Sequence, residues 1–128
     1  MPKTLSRDRL PDDRTTDRPS ADSPLALVEV VPGQRLALHG RLDVHAAADV
    51  RLALAEAVRA GAGDLVLDLS GVVAVDATGL GVLVGAHRGA GRAARTLVLL
   101  DVPERVGRLL FVTRLHRVLR TARSGADV

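Results

Sequence analysis

Residues 68–84 have the sequence DLSGVVAVDATGLGVLV, in which an apolar run leads to Asp76, small residues follow, and a helical pattern opens at Gly79. This order predicts a strand, a tight turn and a helix that has Asp76, Ala77 and Thr78 at its amino end. Unpaired N–H groups and the helix dipole stabilise negative charge there, including that of a phosphate. Either Asp76 or Thr78 is a suitable N-cap, and capping alone is enough to explain both residues.

The two faces of the predicted helix at 78–92 differ in character. With a helical period, one face consists of Leu80, Leu83, Val84 and His87. The other face combines small residues with two cations: Gly81, Val82, Gly85, Gly89, Arg88 and Arg92. Each glycine inside a helix costs roughly 1 kcal/mol relative to alanine. We therefore expect this face to admit another backbone closely, in a docked partner or in a neighbouring helix of the same chain. Glycine favoured by GC-rich coding is a third explanation.

Outward from this stretch, strands and helices alternate. Residues 64–69 and 96–100 have the apolar, β-branched composition of buried strands. With the helix at 78–92 between them they predict a strand–helix–strand unit with parallel strands.

Two more helices are predicted from apolar stripes. The first begins after Asp43, its expected N-cap, and ends before Gly61. The later one has Pro103 as its expected first residue, and residues 118–119 then form a short edge strand or a turn. The stripes consist of Ala47, Val50, Leu54 and Val58 in the first helix and Val106, Leu109 and Leu110 in the later one.

The domain is predicted to span residues 24–122, between a disordered charged tail at 1–23 and a flexible C-terminus at 123–128. Two apolar runs flank Val31-Pro32-Gly33-Gln34, which suits a type II turn and predicts a β-hairpin. The expected fold class is α/β, a single domain in which an N-terminal β-hairpin and then βαβ units form a mixed sheet covered by helices.

Composition excludes several classes of function. A chain of 128 residues with one Phe, no Tyr, no Trp and no Cys has no stacking platform for single-stranded nucleic acid and no thiolate site. The four histidines have no metal-ligand spacing and no catalytic partner, so we expect no metal, no cofactor and no enzyme activity. The net charge of +3 rests on 18 basic residues, but we expect no direct nucleic-acid binding. No membrane span or secretory signal is expected, which favours the cytoplasm.

Three segments together resemble the STAS domain of bacterial anti-sigma factor antagonists. Residues 65–84 are similar to that family's signature, which has a Ser directly after the motif Asp and a Ser or Thr at the next position. Residues 38–43, LHGRLD, are similar to its entry to the first helix, and residues 103–119 to its late helix and final strand. The resemblance covers about residues 25–121 and implies the same order of elements as the pattern analysis.

The resemblance implies an antagonist that binds an anti-sigma factor, a partner-switching serine kinase of the GHKL type, and so releases a sigma factor for transcription. The partner-binding residues it implies, together with the adjoining helix face, are Asp43, Asp76, Ala77, Thr78, Gly79, Gly81, Val82 and Gly85. Ala77 replaces the hydroxyl that the family phosphorylates, and Thr78 is the nearest remaining acceptor. The alternative is a STAS adaptor subunit of an ABC-type lipid transport complex. Oligomeric state is left open.

Overall fold

The computed structural model describes residues 24–125, so the expected tail at 1–23 and residues 126–128 lie outside the described part. No helix within residues 24–125 is long and apolar enough to cross a membrane. The elements are, in chain order, β1 (Ala26–Val31), β2 (Arg35–Leu42), α1 (Ala47–Ala60), β3 (Leu65–Val75), α2 (Ala77–Arg92), β4 (Leu97–Leu100), α3 (Glu104–Val112), a 3-10 turn (Leu115–Arg117) and β5 (Arg120–Ala122).

The five strands form one mixed sheet in the order β1-β2-β3-β4-β5. β1 pairs with β2 antiparallel, and every other neighbouring pair is parallel. At the hairpin turn Gly33 has a φ of 70°, and the Gln34 N–H donates to the Val31 carbonyl at 2.9 Å, as the type II prediction requires. The predicted hairpin, parallel units and mixed α/β sheet are confirmed.

Alternate strand residues and the inward stripes of the helices form the core. α1 and α2 pack against each other, and α3 adds Val106 and Leu110 to the same cluster. The largest fully buried side chains are leucines and one valine: Leu36, Leu38, Leu42, Val50, Leu54, Leu65, Leu67, Leu69, Leu83, Leu97, Leu99 and Leu110. Since β2 and β3 run parallel with Leu42 beside Val75, the residues that follow both strands emerge at the same edge of the sheet.

The predicted N-cap of α1 is wrong, whereas its predicted end before Gly61 is confirmed. Asp43 is not the N-cap of α1, because the helix begins only at Ala47 and the Asp43 carboxylate instead accepts from the His45 N–H at 3.0 Å. Gly61 is not a left-handed residue after α1; it is extended, with a φ of −146°. Glycine is needed there because a Cβ would overlap the carbonyl of Gly33.

Two further boundaries differ from the predictions. β3 does not end at residue 69 but continues to Val75, because it stays paired with β2 as far as Leu42, with register shifts on both sides of His39 and Gly40. Pro103 precedes the first helical residue of α3 by one position. Residues 118–119 form a turn, which is one of the two predicted alternatives, and the last strand follows at Arg120–Ala122.

Candidate functional site

The Asp76 carboxylate connects the start of α2 to the loop that precedes α1. Its Oδ1 accepts from the Gly79 N–H at 2.8 Å, and its Oδ2 accepts from the Val44 N–H at 3.1 Å. Of the two candidate N-caps, Asp76 is therefore the one that caps α2. Because one side chain bonds both segments, the β2–α1 loop and the amino end of α2 form one continuous surface.

Asp43 lies on the same edge of the sheet. Its Oδ2 is 3.4 Å from the Arg41 Nε, and its Oδ1 accepts a hydrogen bond from the His45 N–H. The structure thus brings together the two acidic residues that the sequence singled out 33 positions apart. Asp76 is exposed, whereas Asp43 is half-buried and paired with Arg41, so Asp76 is the carboxylate of this pair that is open to solvent.

The residues that follow Asp76 differ in accessibility. Ala77 is exposed, whereas Thr78 is half-buried. Asp76 supplies the cap, and among residues 24–125 the Thr78 hydroxyl has no hydrogen-bond partner. The position directly after Asp76 therefore faces solvent but has no hydroxyl.

Val44 belongs to this surface, although the sequence analysis did not select it. Its side chain is 58% exposed while its N–H is bonded to Asp76. The feature of the sequence that could have indicated Val44 is that it is a large apolar residue in a polar loop, directly after Asp43. Its exposure became visible only with the fold.

The glycines of α2 fall into two groups. A Cβ on Gly81 or Gly85 would meet no atom within 4 Å, and both residues are exposed; we call these two residues the glycine face. Gly79, by contrast, is buried, and a Cβ there would overlap the Leu42 carbonyl oxygen. Gly79 is thus required for packing within the chain, and the glycine face is not.

The placement of Val82 on the exposed glycine face is wrong. Its side chain is only 1% exposed and joins the core. The reason is that α1 packs against α2, so Val82 lies against a neighbouring helix of the same chain, which is one of the alternatives that the sequence leaves open.

A groove of about 440 Å³ runs between α1 and α2 next to Gly85. Leu54, Val58 and Ala86 contribute apolar lining, and Arg51, Arg59 and Arg92 contribute cationic groups. The surface can therefore accept an apolar segment that carries acidic groups. Residues 24–125 contain no cluster of three or more His, Asp or Glu side chains suited to a metal ion.

Comparisons with known proteins agree with this architecture. An anti-sigma-B factor antagonist from Staphylococcus epidermidis is 34% identical over 80 residues, which cover 62% of this chain and 74% of the relative. An anti-sigma factor antagonist from Mycobacterium paratuberculosis superposes with a TM-score of 0.70 at 22% identity, covering 84% of this chain and 92% of that chain. The Bacillus cell fate determinant SpoIIAA in its phosphorylated form gives a TM-score of 0.59 at 18% identity, covering 81% and 94%.

Both structural similarities show a shared fold. The STAS domain model matches residues 28–128, which is most of the chain. This protein therefore belongs to the STAS domain family.

Proposed function

We propose that this protein is an anti-sigma factor antagonist: it binds an anti-sigma factor, a serine kinase of the GHKL type, and thereby frees a sigma factor. The observation that carries the proposal is the Asp76 carboxylate, which joins the β2–α1 loop to α2 and so builds one exposed surface. Relatives that are named anti-sigma factor antagonists support the same function.

The proposed contact residues divide by their burial. Asp76, Ala77 and the glycine face are exposed and can touch a partner, and Asp43, Thr78 and Val44 border them. Gly79 and Val82 are buried, so they position this surface without contributing side-chain area to it. Glycine at 81 and 85 lets a partner backbone approach α2 closely, because no intramolecular contact fills that space.

The test measures sigma release directly. A preformed complex of a GHKL-type anti-sigma factor and its sigma factor, both from the same organism, is mixed with the full chain and resolved by size exclusion. We expect sigma to elute free and the chain to co-elute with the anti-sigma factor.

Matched glycine variants locate the contact. Gly85→Leu adds bulk in open space on the proposed surface, and Gly91→Leu adds the same bulk in open space at the other end of α2. We expect a large loss of binding for Gly85→Leu and almost none for Gly91→Leu, with unchanged circular dichroism for both. If Gly85→Leu and Gly91→Leu change partner binding equally, the glycine face is not the contact surface. Co-purification with a permease and an ATPase, and with no anti-sigma factor, would favour the ABC-transport alternative.

A further inference from the structure

We infer that the carboxyl end of α3 is a docking surface for an anionic phospholipid membrane. This lipid-docking patch consists of Phe111, Val112, Arg114, His116 and Arg117, which together line one hollow of about 300 Å³. It is separate from the surface that contains Asp76.

The apolar part of the patch projects into solvent. Phe111 is 66% exposed and Val112 is 71% exposed, which are large fractions for adjacent apolar side chains. The Phe111 ring packs beside the His116 ring with 4.9 Å between centroids, so the aromatic group has a defined orientation. Two such side chains at the end of a helix can enter the boundary between headgroups and acyl chains.

The segment that contains the patch carries charge of one sign. From residue 105 to residue 125 the sequence contains six Arg and no Asp or Glu. Among residues 24–125 neither Arg114 nor Arg117 forms an ion pair. Two unneutralised guanidinium groups beside exposed apolar side chains complement anionic headgroups, whose phosphates the guanidinium fork binds well.

Arg114 adds an independent argument. Its φ is 65°, in the left-handed region, where glycine is the ordinary residue after a helix. Its backbone closes the end of α3 by donating to the Phe111 carbonyl at 3.0 Å, a bond that glycine would make equally well. The arginine side chain is therefore not needed for the turn. Binding of an anionic headgroup would explain why arginine stands here instead of glycine.

The topology leaves the proposed partner surface free while the patch is docked. α3 starts after the carboxyl end of β4, and β5 begins at Arg120 beside Val98, near the amino end of β4. The carboxyl end of α3 thus lies toward the sheet edge opposite to Asp76, which follows the carboxyl end of β3.

The experiment is co-sedimentation of the full chain with vesicles of equal parts phosphatidylglycerol and phosphatidylcholine, compared with phosphatidylcholine alone. We expect binding only to the anionic vesicles. Phe111→Ser should lower the partition coefficient at least about tenfold, and Arg114→Gly should lower it about fivefold while leaving the melting temperature equal or higher.

The controls are Leu52→Ser, which removes an apolar side chain 60% exposed on α1, and Arg51→Gln, which removes an exposed cation from the same helix. Both should bind vesicles like the wild type. Absence of wild-type binding overturns the inference. The inference is also overturned if Arg51→Gln and Arg114→Gly reduce vesicle binding equally, or if Phe111→Ser leaves it unchanged. Either result would mean that the net positive charge of the protein, and not this patch, attracts the vesicles.

Discussion

The Arg95 guanidinium donates a 2.6 Å hydrogen bond from Nη2 to the carbonyl of Gly33, which lies 62 residues earlier in the chain. Its Nη1 donates to the carbonyls of Ala57 and Val58 at 2.8 and 3.1 Å, and its Nε donates to the Gly63 carbonyl at 2.9 Å. Arg95 is 5% exposed, so one buried cation satisfies the carbonyl end of α1 and fastens it to the hairpin turn.

Replacing Arg95 should destabilise the fold strongly. Arg95→Met leaves several buried carbonyls without donors, and we expect a loss of about 3 kcal/mol or more in the free energy of unfolding. Arg95→Lys keeps the charge but lacks the planar fork, so it should recover only part of that loss. Urea denaturation measures both. Arg92→Gln, at an exposed position of α2, is the control and should change stability little; a loss equal to that of Arg95→Met would contradict the assignment.

Alanine at Gly79 and at Gly85 should have opposite effects. A Cβ at Gly79 overlaps the Leu42 carbonyl, so Gly79→Ala should cost about 2 kcal/mol or more. A Cβ at Gly85 meets open space, so Gly85→Ala should gain about 0.5–1 kcal/mol from helix propensity. Thermal melts compare the pair. Destabilisation by Gly85→Ala would show that the glycine face is needed within the chain.

Asp76 should support both the helix and the loop. Asp76→Ala removes the acceptor for the Gly79 and Val44 N–H groups, and we expect a cost of about 1–2 kcal/mol. Amide hydrogen exchange at Val44 should accelerate at the same time. Asp49→Ala removes an exposed carboxylate near the start of α1 and should cost about 0.5 kcal/mol without changing exchange at Val44.

The contact between Asp101 and Ser124 should depend on pH. The Ser124 N–H and hydroxyl donate to the Asp101 carboxylate at 2.8 and 2.7 Å, and these bonds hold the pKa of Asp101 below its ordinary value of 3.8. Since the folded pKa is the lower one, the ionised carboxylate stabilises the native state above that ordinary value, and the contribution disappears as pH falls through the folded pKa.

Denaturation of the wild type and Asp101→Asn at several pH values checks this. Asparagine tolerates the φ of 54° at this position, so the variant should fold. The stability difference between the two proteins should shrink as pH falls below 3.8. A difference that stays constant with pH would rule out the titration of Asp101 as its source.

Phosphorylation should require a hydroxyl at position 77. Phosphate there would add charge beside Asp76 and weaken partner binding. With its cognate anti-sigma kinase and ATP, we expect the wild type to gain no phosphate and Ala77→Ser to gain one, measured by intact mass. The half-buried Thr78 hydroxyl is the competing acceptor. Phosphate on the wild type that disappears in Thr78→Val would overturn the expectation.

Local chemistry explains which features could be predicted. Pro32 and Gly33 determine the hairpin turn through their own backbone preferences, and Asp76 before Gly79 has the spacing of an N-cap. The alternation of apolar runs and helical stripes predicted the mixed α/β sheet. The family resemblance grouped Asp43 with Asp76, and the parallel pairing of β2 with β3 places both residues at one edge of the sheet.

Features that depend on distant neighbours were decided only by the tertiary structure. Arg95 is one of nine arginines between residues 85 and 125, and nothing in that stretch of sequence distinguishes it. Its burial requires the carbonyls of Gly33 and of α1. Val82 is buried because α1 covers a second side of α2. The bond from Val44 to Asp76 exists because two parallel strands end side by side. A sequence determines turns, caps and periodicity through nearest neighbours, but burial and hydrogen bonds between residues 32 or 62 positions apart arise only when the chain packs.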